Sequence, residues 1–236
     1  MADSLHLPRA KPLHWTSTEV SHKAWMSIRD ADILENLLLR LAALKNGAPL
    51  RVLEWGCGRS TLWYGALLQA FGIPHTWLGV EHNREYFQKE VEALFLQARG
   101  TQVVLADNVQ GAPPPSLDTL GRTVVVFDHG SVAPFDSGRM EDRLVNMDAY
   151  VALPARWGYR CDIAIIDGRK RRRCALAALR LLAENGVVML HDARRLAYQS
   201  AFAAFPFHRT IGDDWWIGCK RPLDLDNLLP PAAFTV

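Results

Sequence analysis

Apolar residues along this chain change their spacing near residue 50. Before it, Ile33, Leu37, Leu38, Leu41 and Leu44 recur three and four positions apart, as on one face of a helix, and Asn46-Gly47 supplies a stop. Thr16-Ser17-Thr18-Glu19 has the form of a capping box, so the pattern predicts an irregular arm and then a helix over roughly 17–45. From Leu50 onward short apolar runs alternate with helical periods. LRVLEW (50–55), HTWLGVE (75–81), TQVVLA (101–106), CDIAIID (161–167) and VVMLH (187–191) read as strands. Helices are predicted between them at about 60–71, 84–98, 171–185 and 194–204. FHRTIG and DDWWIGCK, joined through Gly212-Asp213-Asp214, read as a closing hairpin.

Strands that alternate with helices and are apolar throughout predict a parallel sheet covered on both faces. The expectation is an α/β, Rossmann-like, seven-stranded and mostly parallel sheet with an antiparallel final strand and a helical N-terminal extension. Residues 1–49 would form the arm and extension, and 50–236 one domain. The stretch at about 107–160 interrupts the rhythm with Pro113-Pro114-Pro115, an extra β-rich run TVVVFDHGS (123–131) and a helical period near 138–152. It reads as an insertion, suited to substrate selection.

Composition narrows the class. A chain of 236 residues with 49% hydrophobic and 22% charged residues is an ordinary globular protein, large enough to fold without disulfides. No run approaches the ~18 apolar residues of a membrane span, and the N-terminus lacks the basic-then-apolar order of a secretory signal. Cys57, Cys161, Cys174 and Cys219 lack C-x-x-C spacing, which points to reduced thiols in a cytoplasmic protein rather than a zinc or redox centre. The net charge of +2 conceals one cluster. Residues 169–173 read RKRRR, and without those five the chain has 22 basic against 25 acidic side chains, a net of −3.

Val52-Leu53-Glu54-Trp55-Gly56-Cys57-Gly58-Arg59-Ser60-Thr61 is the most informative segment. A strand ends, two glycines permit a tight turn, and a helix begins whose first amides can receive an anion. Glu54 stands where a pyrophosphate-binding turn has an apolar residue, and a carboxylate there suits a cationic ligand. Glu81 ends the second strand, where a carboxylate can accept both hydroxyls of a ribose. Asp107-Asn108 follow the third strand and can hydrogen-bond an adenine edge; Asp167 ends the fourth.

At these residues the chain resembles class I S-adenosylmethionine-dependent methyltransferases over roughly 50–220. LEWGCGRSTLWY, GVEHN and DGRxRxxCAL resemble an uncharacterised bacterial branch of them. The resemblance implies that Glu54, Trp55, Gly56 and Gly58, with Ser60 and Thr61, make the methionine-side loop. It places Glu81 and His82 at the ribose, Asp107 and Asn108 at the adenine, and Asp167 beside the methionine or the reacting centre. The implied activity is methyl transfer, and the basic run at 169–173 adds the expectation of a small, anionic acceptor. Aminopropyl transfer on the same fold and a non-catalytic cofactor-binding subunit are the alternatives.

Methyl transfer needs an aligned nucleophile and often a base. His191, at the end of the fifth strand, titrates naturally near neutrality and is the candidate base, with Asp192 and Asp167 beside it. Cation-dependent O-methyltransferases carry Asp and then Asp-Asn after strands four and five. Here the second pair is Asp192-Ala193, so no metal is expected. RKRRR overlaps a helix start, where cations oppose the helix dipole; Arg169 and Arg171 are therefore assigned to an anionic substrate. An acidic body with no aromatic-plus-basic platform disfavours nucleic acid. A homo-oligomer is compatible with the pattern. Trp15 and Met26 are placed as a lid over the cofactor.

Overall fold

The computed structural model describes residues 24–106, 120–127, 145–229 and 233. Among them is one mixed sheet in the order β3-β4-β2-β1-β5-β6-β8-β7. The strands are β1 (Leu50–Trp55), β2 (His75–Glu81), β3 (Thr101–Ala106), β4 (Gly121–Phe127), β5 (Cys161–Ile166), β6 (Leu182–Leu190), β7 (Phe207–Ile211) and β8 (Trp215–Cys219). Every neighbouring pair is parallel except those made by β8, which runs antiparallel to both β6 and β7. The expected parallel sheet with an antiparallel final strand is therefore present, with eight strands rather than seven. The additional strand is β4, from the β-rich run within the insertion. It pairs with β2 through Thr76–Gly121 to Glu81–Val126 and pushes β3 to the sheet edge.

Alternation along the strands supplies both cores. Leu53, Trp55, Leu78, Val80, Ile166, Leu190 and Trp216 point to one face, onto Tyr150, Cys174, Ala178 and Phe202. Val52, Trp77, Ile163, Ile165, Met189, Trp215 and Ile217 point to the other, onto Ile33, Leu34, Leu37, Leu38, Tyr64 and Leu68. Adjacent Trp215 and Trp216 thus enter opposite cores, and both are buried. The second core is closed by α1 (Ile28–Leu44) and α2 (Arg59–Ala70). Four of the α1 side chains, Ile33, Leu34, Leu37 and Leu38, are fully buried, each contributing about 1.5–3 kcal/mol by transfer from water.

The N-terminal helix starts later than its periodicity predicts. Ser27 is extended and accepts a hydrogen bond from the Asp30 amide at 3.1 Å, so it caps α1 and the chain at 24–27 is not helical. The Thr16–Glu19 box and Trp15 lie outside the described residues. After β2, α3 (Arg84–Tyr86) passes through a π-helical turn (Phe87–Val91) into α4 (Glu92–Gln97). Of the helix expected near 138–152, residues 138–144 lie outside the described residues, 145–147 are not helical, and α5 spans Asp148–Arg156. The helix α6 (Arg171–Leu181) gives way directly to β6, five residues before that strand was expected, with a register irregularity between Cys161 and Ile163. Past β6 come a short α7 (Leu196–Gln199) and a 3-10 turn (Phe202–Ala204) where one longer helix was expected, and α8 (Leu225–Leu228) follows the hairpin. The four cysteines are buried free thiols. Among the described residues no helix is long and apolar enough to cross a membrane.

Candidate functional site

Parallel strands that end together leave a crevice at their carboxyl ends, and helices begin beside it. Here β1, β2 and β5 frame a cleft of about 340 Å³, within the range of small-ligand sites. Its walls include Met26, Gly56, Gly58, Ser60, Glu81, His82, Asp167, Arg169 and Arg171 from the sequence-predicted set. Trp25, Cys57, Arg59, Asn83, Tyr86, Gly168 and Arg195 complete them.

The floor is the contact between two strand-end loops. Gly56 has φ +91°, and a Cβ there would lie 2.3 Å from both N and Cα of Gly168. The Trp55 carbonyl accepts the amides of Asp167 (3.0 Å) and Gly168 (2.8 Å), which holds the loops together. Trp55 itself is buried, with its indole N–H donating to the Tyr150 carbonyl at 3.2 Å. Trp55 therefore shapes the floor through its backbone.

Glu54 departs from its expected role. It is fully buried and absent from the cleft wall, because β1 alternates and puts its side chain on the face of Val52. There it accepts from the hydroxyls of Ser60 (2.6 Å) and Thr61 (2.5 Å) and from the Trp77 indole (3.0 Å). Thr61 in turn accepts from the Gly58 amide at 3.0 Å. Glu54, Ser60 and Thr61 are thus the internal brace of the glycine turn. Burial drives the Glu54 pKa up to about 7, although its three hydrogen bonds pull it down.

The cleft's own carboxylates are Glu81 and Asp167, and they share one design. Glu81 Oε1 accepts the backbone amides of His82 (2.9 Å) and Asn83 (2.8 Å), and the His82 ring Nδ1 lies 2.9 Å away. Asp167 Oδ1 meets Arg171 Nη2 at 3.0 Å and His191 Nδ1 at 3.1 Å. Neither Glu81 Oε2 nor Asp167 Oδ2 has a partner among the described residues. One oxygen of each is anchored and the other is not.

Arg171 lies in the cleft wall but its five donors are committed to the chain. Nε donates to the Gly168 carbonyl (2.9 Å). Nη1 donates to the His191 carbonyl (2.6 Å) and Asp192 Oδ2 (3.0 Å). Nη2 donates to the Asp167 carbonyl (2.9 Å) and Asp167 Oδ1. It clamps the loops after β5 and β6, whose Lys170 and Asp192 both take left-handed backbone conformations, at φ 53° and 56°. The substrate role expected of Arg171 thus gives way to an architectural one. Arg195, bound to Asp192 at 2.7 Å and more than half exposed, joins Arg169 as a cationic wall. Arg173 turns to Asp148 instead.

His191 and Asp192 do not line the cleft. His191 is buried between Asp167 and Asp30, with Nε2 3.8 Å from Asp30 Oδ2 and its ring 4.8 Å from that of Trp215. Burial pushes the imidazolium toward neutrality, but the hydrogen bond to Asp167, the nearby Asp30 carboxylate and the charges of Asp167 and Asp192 outweigh it, leaving a pKa of about 9. A histidine already protonated at neutral pH cannot accept a proton there, so His191 does not fit the base role. Burial first, and then the charges of Glu81 and Glu54, raise the Cys57 thiol well above its ordinary range, which makes it inert.

Asp107 and Asn108 lie outside the described residues. They follow β3, however, and β4 now stands between that strand and β2, so the chain leaves β4 at Phe127 beside Glu81. Met26 lines the cleft as expected of a lid residue, next to the exposed Trp25. Trp25 lies against Arg59 (5.3 Å) and Tyr86 (6.5 Å). Sequence reasoning missed Trp25, Tyr86 and Asp30, because each reaches the site through tertiary packing and belongs to no motif. No group of His, Cys, Asp and Glu among the described residues is arranged to hold a metal.

No family model matches the chain, and no curated protein matches it. Similar solved structures include a spermidine synthase from Thermotoga maritima, at 14% identity and a TM-score of 0.47 over 84% of this chain; the chain spans 62% of that protein's length. A methyltransferase-like protein from Silicibacter pomeroyi is 16% identical, with a TM-score of 0.47 over 89% of this chain and 98% of its own. Human methyltransferase-like protein 13, in complex with SAH, is 15% identical, with a TM-score of 0.47 over 84% and 87% respectively. At these identities the likeness is one of architecture.

Proposed function

We propose that this chain is an S-adenosylmethionine-dependent methyltransferase acting on a small anionic molecule. The observation that carries the reading is the pair of half-anchored carboxylates, Glu81 and Asp167, on the walls of one cleft with the start of α2 between them. The residues fit the cofactor group by group. Glu81 Oε2 is the acceptor for the ribose hydroxyls. The first amides of α2, whose cap Gly58 brings no side chain, and the Arg59 guanidinium suit the amino-acid carboxylate. Asp167 Oδ2 suits the ammonium group.

When bound, S-adenosylmethionine supplies an electrophilic methyl group on a sulfonium. The chain's task is to bring a nucleophile in line with it and to exclude water. His191 is held protonated and lies behind Asp167, and His82, a histidine of the cleft wall, has its Nδ1 2.9 Å from Glu81 Oε1. An acceptor that is already anionic needs no proton removed, and Arg169 and Arg195 stabilise such a group at the wall. The same arginines repel the ammonium acceptor that aminopropyl transfer requires, and nothing favours that alternative.

Titration calorimetry with S-adenosylmethionine and with NAD tests the cofactor. Saturable S-adenosylmethionine binding, reduced by Glu81→Gln and Asp167→Asn, is expected; tight NAD binding without it overturns the proposal. Methyl incorporation from labelled cofactor across paired carboxylate, phosphate and amine acceptors tests the substrate class. Labelling confined to amines would refute the anionic reading.

A further inference from the structure

We infer that the opposite end of the sheet carries a second ligand site, built around Arg122 and shaped for a small monocarboxylate with an apolar body. The site lies where β2 and β4 begin and α2 ends, a full strand length from the cleft at the carboxyl ends. A cavity of about 320 Å³ opens there. Ile73, Pro74 and Leu120 give it apolar walls, and Gly72 and Gly100 leave it unobstructed by side chains.

Arg122 is the feature that needs an occupant. It is 4% exposed, in β4 opposite Trp77 of β2. Its side chain passes over Gly65 of α2, where a Cβ would come within 2.6 Å of Arg122 Cδ and Nη1. Nη1 donates to the Leu62 carbonyl at 3.2 Å and Nη2 to the Arg99 carbonyl at 2.8 Å. These are neutral acceptors, and no carboxylate among the described residues meets the guanidinium. Burial alone lowers its pKa, with no neighbouring anion opposing the shift. A buried charge without a counter-charge is costly, and proteins pair such charges. The contrast with Arg171, which closes on two aspartates, is internal to this molecule.

The surrounding groups set the ligand's charge. Arg99 stands at the rim. His75 is buried beside Arg122 with Nδ1 2.9 Å from the Ile73 carbonyl, and burial together with the Arg122 charge holds its pKa down. It is therefore a neutral hydrogen-bonding group at neutral pH. One fixed buried cation with apolar walls matches a single carboxylate on a short hydrocarbon or aromatic body better than a multiply charged phosphate.

Calorimetry and thermal unfolding of the full chain with butyrate and benzoate test this, with inorganic phosphate and butylamine as comparisons. Each titration is run with and without S-adenosylhomocysteine. Saturable carboxylate binding in both conditions, and none of butylamine, is expected. Arg122→Gln weakens it by about 30-fold or more, the lower range for truncating one partner of a buried charge pair. Gln69→Glu, exposed on the rim, keeps the fold and weakens binding by about 5-fold through like-charge repulsion at the mouth. Absence of saturable carboxylate binding, equal affinity in the Gln69→Glu protein, or tighter binding of phosphate would each overturn the assignment. Binding abolished by S-adenosylhomocysteine would move the ligand to the cofactor cleft and overturn it too.

Discussion

At the scale of single residues, two glycines with nearly the same φ separate strain from contact. Gly47 has φ +87° and open space around it, whereas Gly56 has φ +91° and the Gly168 backbone 2.3 Å from where a Cβ would be. Gly47→Ala is expected to cost about 1 kcal/mol, the usual conformational penalty. Gly56→Ala must also separate two strand-end loops and is expected to cost about 4 kcal/mol or more in denaturant unfolding, with loss of cofactor binding. Similar costs for the two would show that the loops yield easily. His191 gives a second residue-scale prediction. Its folded pKa of about 9 exceeds the ordinary 6.5, so its stabilising contribution is fully present below pH 6.5 and is lost as pH rises through 9. The contribution is at most about 3 kcal/mol. An NMR titration of the His191 ring should give a pKa near 9 in the native chain, falling in Asp167→Asn and Asp30→Asn. A value at or below 6.5 would restore His191 as a candidate base.

The elements were largely legible in the sequence, and their side-chain roles much less so. Strand-helix alternation, the glycine turn and the closing hairpin each carry a short-range pattern, and each is present. Sheet order is a long-range property: TVVVF is visible as a β run, but only packing decides that it enters between β2 and β3. Glu54 shows what a motif conceals. Strand parity puts it with Val52, in the core, so its charge braces the turn and does not meet a ligand. The RKRRR run shows the same limit. The sequence singles out Arg169 and Arg171 together for substrate, yet the fold commits Arg171 to the chain, leaves Arg172 exposed and turns Arg173 to Asp148. Arg171→Ala removes one donor from each of two aspartates and from three carbonyls. It is expected to cost about 3–5 kcal/mol in thermal or denaturant unfolding. Arg172→Ala should fall within about 0.5 kcal/mol of the native chain. A small effect at Arg171 would return that residue to the set available for substrate.

Across the whole molecule, the two ends of the described chain are fastened together beside the cleft. Asp30, in the first turn of α1 and 1% exposed, accepts the amides of Asp213 (2.8 Å) and Asp214 (3.0 Å) in the turn between β7 and β8. Its carbonyl accepts the Trp215 indole, and Ser27 donates to Asp213 at 2.6 Å. Gly212 fits only because it lacks a Cβ, which would lie 2.3 Å from Asp30 Oδ1. The Asp214 carbonyl takes the Ala193 amide, which ties the same knot to the loop after β6. Trp25 and Met26 emerge from this knot onto the cleft, so their placement depends on a hairpin nearly 190 residues away in sequence. No local pattern could have disclosed that dependence. Asp30→Ala leaves two amide donors without their acceptor and a protonated His191 with one carboxylate fewer, and is expected to cost about 2–5 kcal/mol. Hydrogen exchange should then accelerate together at 24–31 and 212–215 while β1 and β2 stay protected, and S-adenosylmethionine affinity should fall. Acceleration confined to 24–31 would mean that the hairpin turn holds its shape unaided, and that the knot fastens the N-terminal segment without being fastened by it.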